Sequence, residues 1–133
     1  MDGAIYGYLS PYSALYLLRA NRIYPLVFPP GVTLPAQTYQ LISAIHERVI
    51  KAAKIKFCIN RYQVTSFGKN RDDLEALANT TLTAMKAMPG TISSNISVKD
   101  TRIIDQSQDY DPVTAIYAIR QDWSVWHEDS SLW

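Results

Sequence analysis

Residues 56–88 constrain this chain most, because within them the hydrophobic period changes once, from that of a strand to that of a helix. Residues 59–67 are rich in β-branched and aromatic side chains with no breaker among them, which predicts a strand. Alternation then sends Tyr62 and Val64 to one side and Arg61, Gln63 and Thr65 to the other. Beyond Gly68, Leu74, Leu77, Ala78, Thr81, Leu82, Met85 and Met88 fall on one helical stripe. Asn70 suits the N-cap, and Asp72, Asp73 and Glu75 sit where the helix dipole favours negative charge. Pro89-Gly90 ends the helix. A stripe of this length needs a wide apolar surface to cover, which only a sheet or a second helix supplies.

Around this centre the remaining elements are shorter. Residues 3–21 predict a first helix with Leu9, Tyr12, Tyr16 and Arg19 in one row and Ala14, Leu15, Leu17 and Leu18 widening its apolar side. Ser10-Pro11 reads alternatively as N-cap and first helical residue of a shorter helix over 11–20. Residues 23–28 form a short strand whose proline places it at an edge, and Pro29, Pro30, Gly31 and Pro35 make a stiff connection. Residues 37–45 are extended again. The basic segment 46–54 suits a loop or a long hairpin between sequential antiparallel neighbours. Residues 97–108 alternate only weakly, which implies a bulge between Val98 and Ile104. A turn follows at Tyr110-Asp111-Pro112-Val113. The last strand puts Ala115, Tyr117, Ile119, Trp123 and Val125 on one face, interrupted by Gln121, with Arg120, Asp122 and Ser124 on the other. The predicted architecture is α+β: a mostly antiparallel sheet of four to five strands with two helices on one face.

At 133 residues the chain reads as a single domain, 1–133, with 127–133 as a flexible or partner-docking tail. No signal peptide or membrane span is expected from its apolar pattern. Its single cysteine, Cys58, excludes an internal disulfide, fits a reducing compartment and is expected to pack rather than react. Charge is unevenly placed: residues 1–71 carry nine Lys and Arg against two acids, net +7, and residues 72–133 carry four against ten, net −6. A subunit whose two sides kept that imbalance could meet its own copy head to tail.

No chemistry-bearing constellation emerges. The glycines do not form a phosphate loop, and His46 and His127 have no further ligand at metal spacing. Asp109 and Asp111 are expected to do turn work around Pro112. Ser10, Ser13 and Ser66 have no base at a telling distance, and Lys51, Lys54 and Lys56 make only a weak nucleic-acid footprint. No enzyme activity, cofactor or metal is expected.

Three stretches in order carry a family resemblance. They are Pro35-Ala36-Gln37-Thr38-Tyr39-Gln40-Leu41-Ile42-Ser43, then Arg61-Tyr62-Gln63-Val64-Thr65-Ser66-Phe67 running into Leu74-Glu75-Ala76-Leu77-Ala78, then Tyr110-Asp111-Pro112-Val113-Thr114-Ala115-Ile116-Tyr117 closing on Trp123-Ser124-Val125-Trp126. Together they resemble the tail terminator, or tail completion, proteins of long-tailed bacteriophages, over residues 11–127. The 46–54 connection is shorter than in many relatives, and Arg120 comes later than that pattern has its basic residue. The resemblance implies a homo-oligomeric ring, a hexamer, at the head-proximal end of the tail tube, assembled in the host cytoplasm and resident in the virion. Such a ring ends tube growth and joins the tail tube protein to the head-closure or connector protein, and DNA passes its lumen without sequence-specific binding. On that basis Arg61, Tyr110, Asp111, Arg120 and Trp126 are candidates for the subunit interface. Pro29, Pro30, Arg48 and Lys51 are candidates for axial docking, and Asp105 and Asp109 for the lumen. The alternatives are another neck ring, a head-closure or adaptor protein, and a small ligand-binding or enzymatic α+β domain.

Overall fold

A computed structural model of the chain describes residues 2–27, 29–31, 33–50, 55–91 and 96–129. In chain order the elements are α1 (Asp2–Leu9), α2 (Ser13–Arg19), β1 (Ile23–Pro25), β2 (Ala36–Ile50), β3 (Ile55–Gly68), α3 (Arg71–Lys86), β4 (Gly90–Thr91), β5 (Ile96–Asp111) and β6 (Ile116–Asp129). The strands form one sheet in the order β1-β2-β3-β6-β5-β4. Only β1 pairs in parallel, with β2; every other pair is antiparallel. The α+β class is the one the sequence pattern implies. The short edge strand expected at 23–28 is present as β1, and the sheet has six strands where the pattern predicts four to five because the two-residue β4 is added at the other edge.

Helices number three rather than two among the described residues, and the reason is Pro11. Its ring removes an N–H and disfavours helical geometry at Ser10. The helix therefore breaks: Tyr12 N–H reaches Leu9 O at 3.2 Å, and α2 begins afresh at Ser13. Neither a continuous helix over 3–21 nor one starting at Pro11 forms. The predicted apolar side also divides, for Leu15 is buried while Leu17 is 86% exposed.

The segment after Ile45 resolves into a long hairpin. β2 and β3 pair from Ala36↔Phe67 to Ile50↔Ile55, and residues 51–54 lie outside the described ones. On β3, Cys58, Tyr62 and Val64 are buried under the helices, and Arg61 and Gln63 face away, as the alternation predicts. Two register shifts interrupt β5, between Val98 and Asp100 and between Ile103 and Asp105, where one bulge is expected. A further shift lies in β2 between Leu41 and Ser43.

On β6 the buried face is Ile119, Gln121, Trp123, Val125 and His127. Ala115, expected on this face, stands in the preceding turn with φ 58°, exposed. That turn spans residues 112–115, two residues later than the predicted one, so Tyr110 and Asp111 end β5. The strand continues to Asp129 with His127 only 1% exposed, so residues 127–129 belong to the sheet and not to a tail. Residues 130–133 lie outside the described ones. Gln121 fits an apolar face because its Nε2 donates to Ala78 O and Gln106 Oε1, each at 3.1 Å.

The core lies between the sheet and the helices. On α3, Leu74, Leu77, Ala78, Thr81, Ala84 and Met85 are buried, and Ile5 and Leu9 of α1 and Leu15 of α2 complete the layer. Each large side chain buried here contributes about 1.5–3 kcal/mol. Both ends of α3 are satisfied. Asn70 Oδ1 accepts from Asp72 N at 2.9 Å. Tyr8 donates to Ala84 O at 2.7 Å, and Thr101 donates at 2.7 Å to Met85 O, which also accepts from Met88 N.

Candidate functional site

The register fixes which side chains share the sheet face turned away from the helices. Gln63 pairs with Asp122, Arg61 with Ser124, Ile59 with Trp126, and Thr65 with Arg120. On β5, Asp105 lies opposite Asp122 and Asp109 opposite Ala118. The fold thus brings Arg61, Asp105, Asp109, Arg120 and Trp126 onto one open face, although the resemblance assigns them to two different surfaces. Arg61 Nη2 donates to Asp122 Oδ2 at 2.8 Å, and Gln63 Nε2 donates to Oδ1 of the same carboxylate at 3.0 Å. Arg120 Nη2 reaches Asp109 Oδ2 at 3.4 Å. Asp105 Oδ1 accepts from Gln106 N at 2.9 Å. Trp126 is half-buried, with its Nε1 donating to Ser124 Oγ at 2.9 Å.

The remaining candidates scatter. Tyr110 points to the helix side, its ring 4.5 Å from that of Tyr117, and is 45% exposed. Asp111 Oδ1 accepts from Val113 N at 2.9 Å, the turn work expected of it. Asp109 instead sits in β5. Pro29 and Pro30 are exposed and line a groove of about 620 Å³ with Lys69 and Asn70, where the proline segment passes the start of α3. The Arg48 side chain and Lys51 lie outside the described residues.

A polar cluster that the sequence pattern does not single out lies in the core. Arg19 is wholly buried: Nε donates to Gln37 Oε1 at 2.6 Å, Nη1 to Ala20 O at 2.7 Å and Nη2 to Leu9 O at 2.8 Å. Gln37 Nε2 passes the network on to Ser66 Oγ at 3.0 Å and Thr81 Oγ1 at 2.7 Å. Burial lowers the Arg19 pKa to about 10, with Tyr6 opposing that shift and Arg22 adding to it. The guanidinium still carries its charge at neutral pH, and it ties the end of α1 at Leu9 and the end of α2 at Ala20 to Gln37 of β2. Its only sequence sign is a basic residue in an apolar helical row.

Charge and strand order are linked. Because the order is β1-β2-β3-β6-β5-β4, strands from the first half of the chain lie together on one side of the sheet and those from the second half on the other. On the strands themselves, β2 and β3 carry Arg48, Lys56 and Arg61 against Glu47, net +2, and β5 and β6 carry Lys99, Arg102 and Arg120 against seven acids, net −4. Among the described residues no group of three or more His, Cys, Asp or Glu is placed to hold a metal.

What these features define is a tile: one face closed by helices, one face open and charged, and an acidic excess on the side of β5 and β6. No family model matches the sequence, and no curated protein matches it. Among solved structures, the chain is similar to one from the virion of a native gene transfer agent (GTA) particle, with a TM-score of 0.72 and 13% identity. That alignment covers 96% of this chain and 94% of the other. At this identity the likeness establishes the fold.

Proposed function

We propose that this chain is a structural virion protein of a tailed, phage-like particle, acting by assembly rather than by turnover, and that it forms the tail terminator ring. One observation carries the reading: nearly the whole chain superposes on nearly the whole of a virion chain. The ordered motifs from Pro35 to Trp126 support it further, as does the difference between the β1–β2 side, whose strands carry no net charge, and the acidic β5–β6 side. A heterologous ring needs one surface that meets a different surface on the next copy, and a tile with unlike sides has both.

In this reading the ring, a hexamer, caps the tail tube protein on one axial side and meets the head-closure or connector protein on the other, with DNA passing through. Asp105 and Asp109 contribute negative potential to the channel wall, which repels the phosphate backbone and favours passage over binding. The Arg120 contact mutes the Asp109 share, so Asp105 is the stronger contributor. Arg61, Tyr110, Asp111, Arg120 and Trp126 are placed at or near the subunit interface. Pro29, Pro30, Arg48 and Lys51 are placed in axial docking. A head-closure or adaptor ring is the second reading, since the same fold likeness fits any neck ring.

Electron cryomicroscopy of the intact particle tests both. A terminator shows density for this chain on the last tube ring, and purified protein added to growing tubes limits their length. Density elsewhere in the neck selects the second reading, and absence from the particle ends both.

A further inference from the structure

We infer that the ion pairs on the open face of the sheet are masks: each holds a cation away from nucleic-acid phosphate, so that DNA meets this face without adhering to it. The inference deepens the ring reading and rests on it for the presence of DNA at this face.

β3, β5 and β6 bring four cations with described side chains to that face, Arg61, Lys99, Arg102 and Arg120. A carboxylate of the same face holds every one of them. Arg61 Nη2 lies 2.8 Å from Asp122 Oδ2, and Arg102 Nε lies 3.0 Å from Asp100 Oδ2. Arg120 Nη2 lies 3.4 Å from Asp109 Oδ2, and Lys99 Nζ lies 3.6 Å from Glu128 Oε2. Strand register makes these meetings possible. Arg61 is opposite Ser124 and Asp122 opposite Gln63, so the pair is a diagonal one step along the same face. Arg120, opposite Ser107, reaches Asp109 along the same kind of diagonal. Asp100 and Arg102 are two apart on β5 and share the face by alternation. Off the sheet the pattern ends: Lys69 and Lys86 are exposed and have no ion pair.

Stability does not account for this pattern. The four cationic side chains are 41% to 74% exposed, where an ion pair adds little to folding. What the pairs change is the potential that a polyanion meets. A cation binds DNA by replacing counterions condensed on phosphate, and one already held by a carboxylate must first give up that partner. Asp105 and Asp111 lie on the same face without an ion pair, so the four cations stand against six carboxylates there. A ring repeats each cation in every copy, so free arginines on the wall would add together along a duplex. Asp100, Asp109, Asp122 and Glu128 are therefore the masking residues. Asp122 is the firmest, because Gln63 Nε2 also holds its Oδ1 at 3.0 Å.

The test compares two double variants of the full chain that change its charge equally. Asp109→Asn with Asp122→Asn frees Arg120 and Arg61. Asp105→Asn with Asp111→Asn frees no cation and keeps the side-chain oxygens that accept from Gln106 N and Val113 N. Each is checked for native circular dichroism and titrated with a short mixed-sequence DNA duplex over a range of salt. At about 50 mM salt the first double is expected to bind about tenfold or more tighter than the native chain, with a salt slope steeper by about 2. The second is expected to stay within about threefold of the native chain, with its slope unchanged. Adding Arg61→Gln and Arg120→Gln to the first double is expected to abolish its gain. If the first double loses its fold, Asp100→Asn with Glu128→Gln frees Arg102 and Lys99 and takes its place. Equal gains from the two doubles, or a gain that survives loss of the arginines, overturn masking in favour of net charge. No gain from a folded double that frees its cations overturns it outright. These titrations are made on the subunit, so their failure leaves the ring reading standing. Absence of the chain from the particle overturns the ring and the DNA-facing role together, whatever the titrations show.

Discussion

Arg19 donates from Nε to Oε1 of Gln37 across 2.6 Å, with both side chains wholly buried. Arg19→Met removes that donor and those to Leu9 O and Ala20 O, leaving the buried Gln37 Oε1 without its guanidinium partner while Leu9 O keeps Tyr12 N. The expected loss is about 2–4 kcal/mol in a denaturant titration. A loss under about 0.5 kcal/mol means water or a neighbour reaches those acceptors.

The same residue gives a pH signature. Its folded pKa of about 10 lies below the ordinary arginine value because burial penalises the charged form. The unfolded chain therefore holds this proton more tightly, and the Arg19 contribution rises with pH only above about 10. Below that both states are protonated. The stability difference between the native chain and Arg19→Met is expected to stay flat from about pH 6 to 9, and a slope there would show another group titrating with it.

Leu77 is fully buried on α3 between the sheet and the helices. Leu77→Ala is expected to cost about 2–5 kcal/mol, the range for an emptied core leucine. A change below about 0.5 kcal/mol would remove Leu77 from the core.

Asn70 supplies a side-chain acceptor to the first turn of α3. Asn70→Ala should cost about 0.5–2 kcal/mol and Asn70→Gly only a few tenths. Equal losses in thermal unfolding would show that the cap contributes nothing beyond backbone geometry.

Trp126 and Arg61 lie on the open face, where substitution should separate folding from assembly. Arg61 is 42% exposed, and its pair with Asp122 contributes about 0.2–1 kcal/mol to the subunit. Arg61→Ala and Trp126→Ala are therefore expected to leave the subunit folded by circular dichroism while weakening ring formation in sedimentation. Unfolding of Trp126→Ala would place Trp126 in the interior.

Local pattern made much of the scaffold readable. The stripe from Leu74 to Met85, the Asn70 cap and the two-sided alternation of Tyr62 with Arg61 depend only on neighbours a few residues away. Periodicity records those neighbours directly. The α+β class follows, because a stripe so long beside strands so apolar has few other ways to be covered. The family resemblance added an expected assembly role that no periodicity could supply.

Other features depend on what meets what across the chain. Arg19 sits in a row with Leu9 and Tyr12, yet only the break at Pro11 and the arrival of Gln37 decide that its charge is buried. His127 follows the last clear alternation, and it is interior because β6 pairs onward to Asp129. The candidate residues Asp105, Arg120 and Trp126 share a face only through the register of β5 on β6. Sequence alone determined the central strands, α3 with its Asn70 cap and the imbalance of charge between the two halves, because short-range sterics and hydrophobic period set these. Tertiary structure alone decided the strand order, and with it which charges lie side by side. Those depend on pairings between residues far apart in the chain, and local pattern carries no record of them.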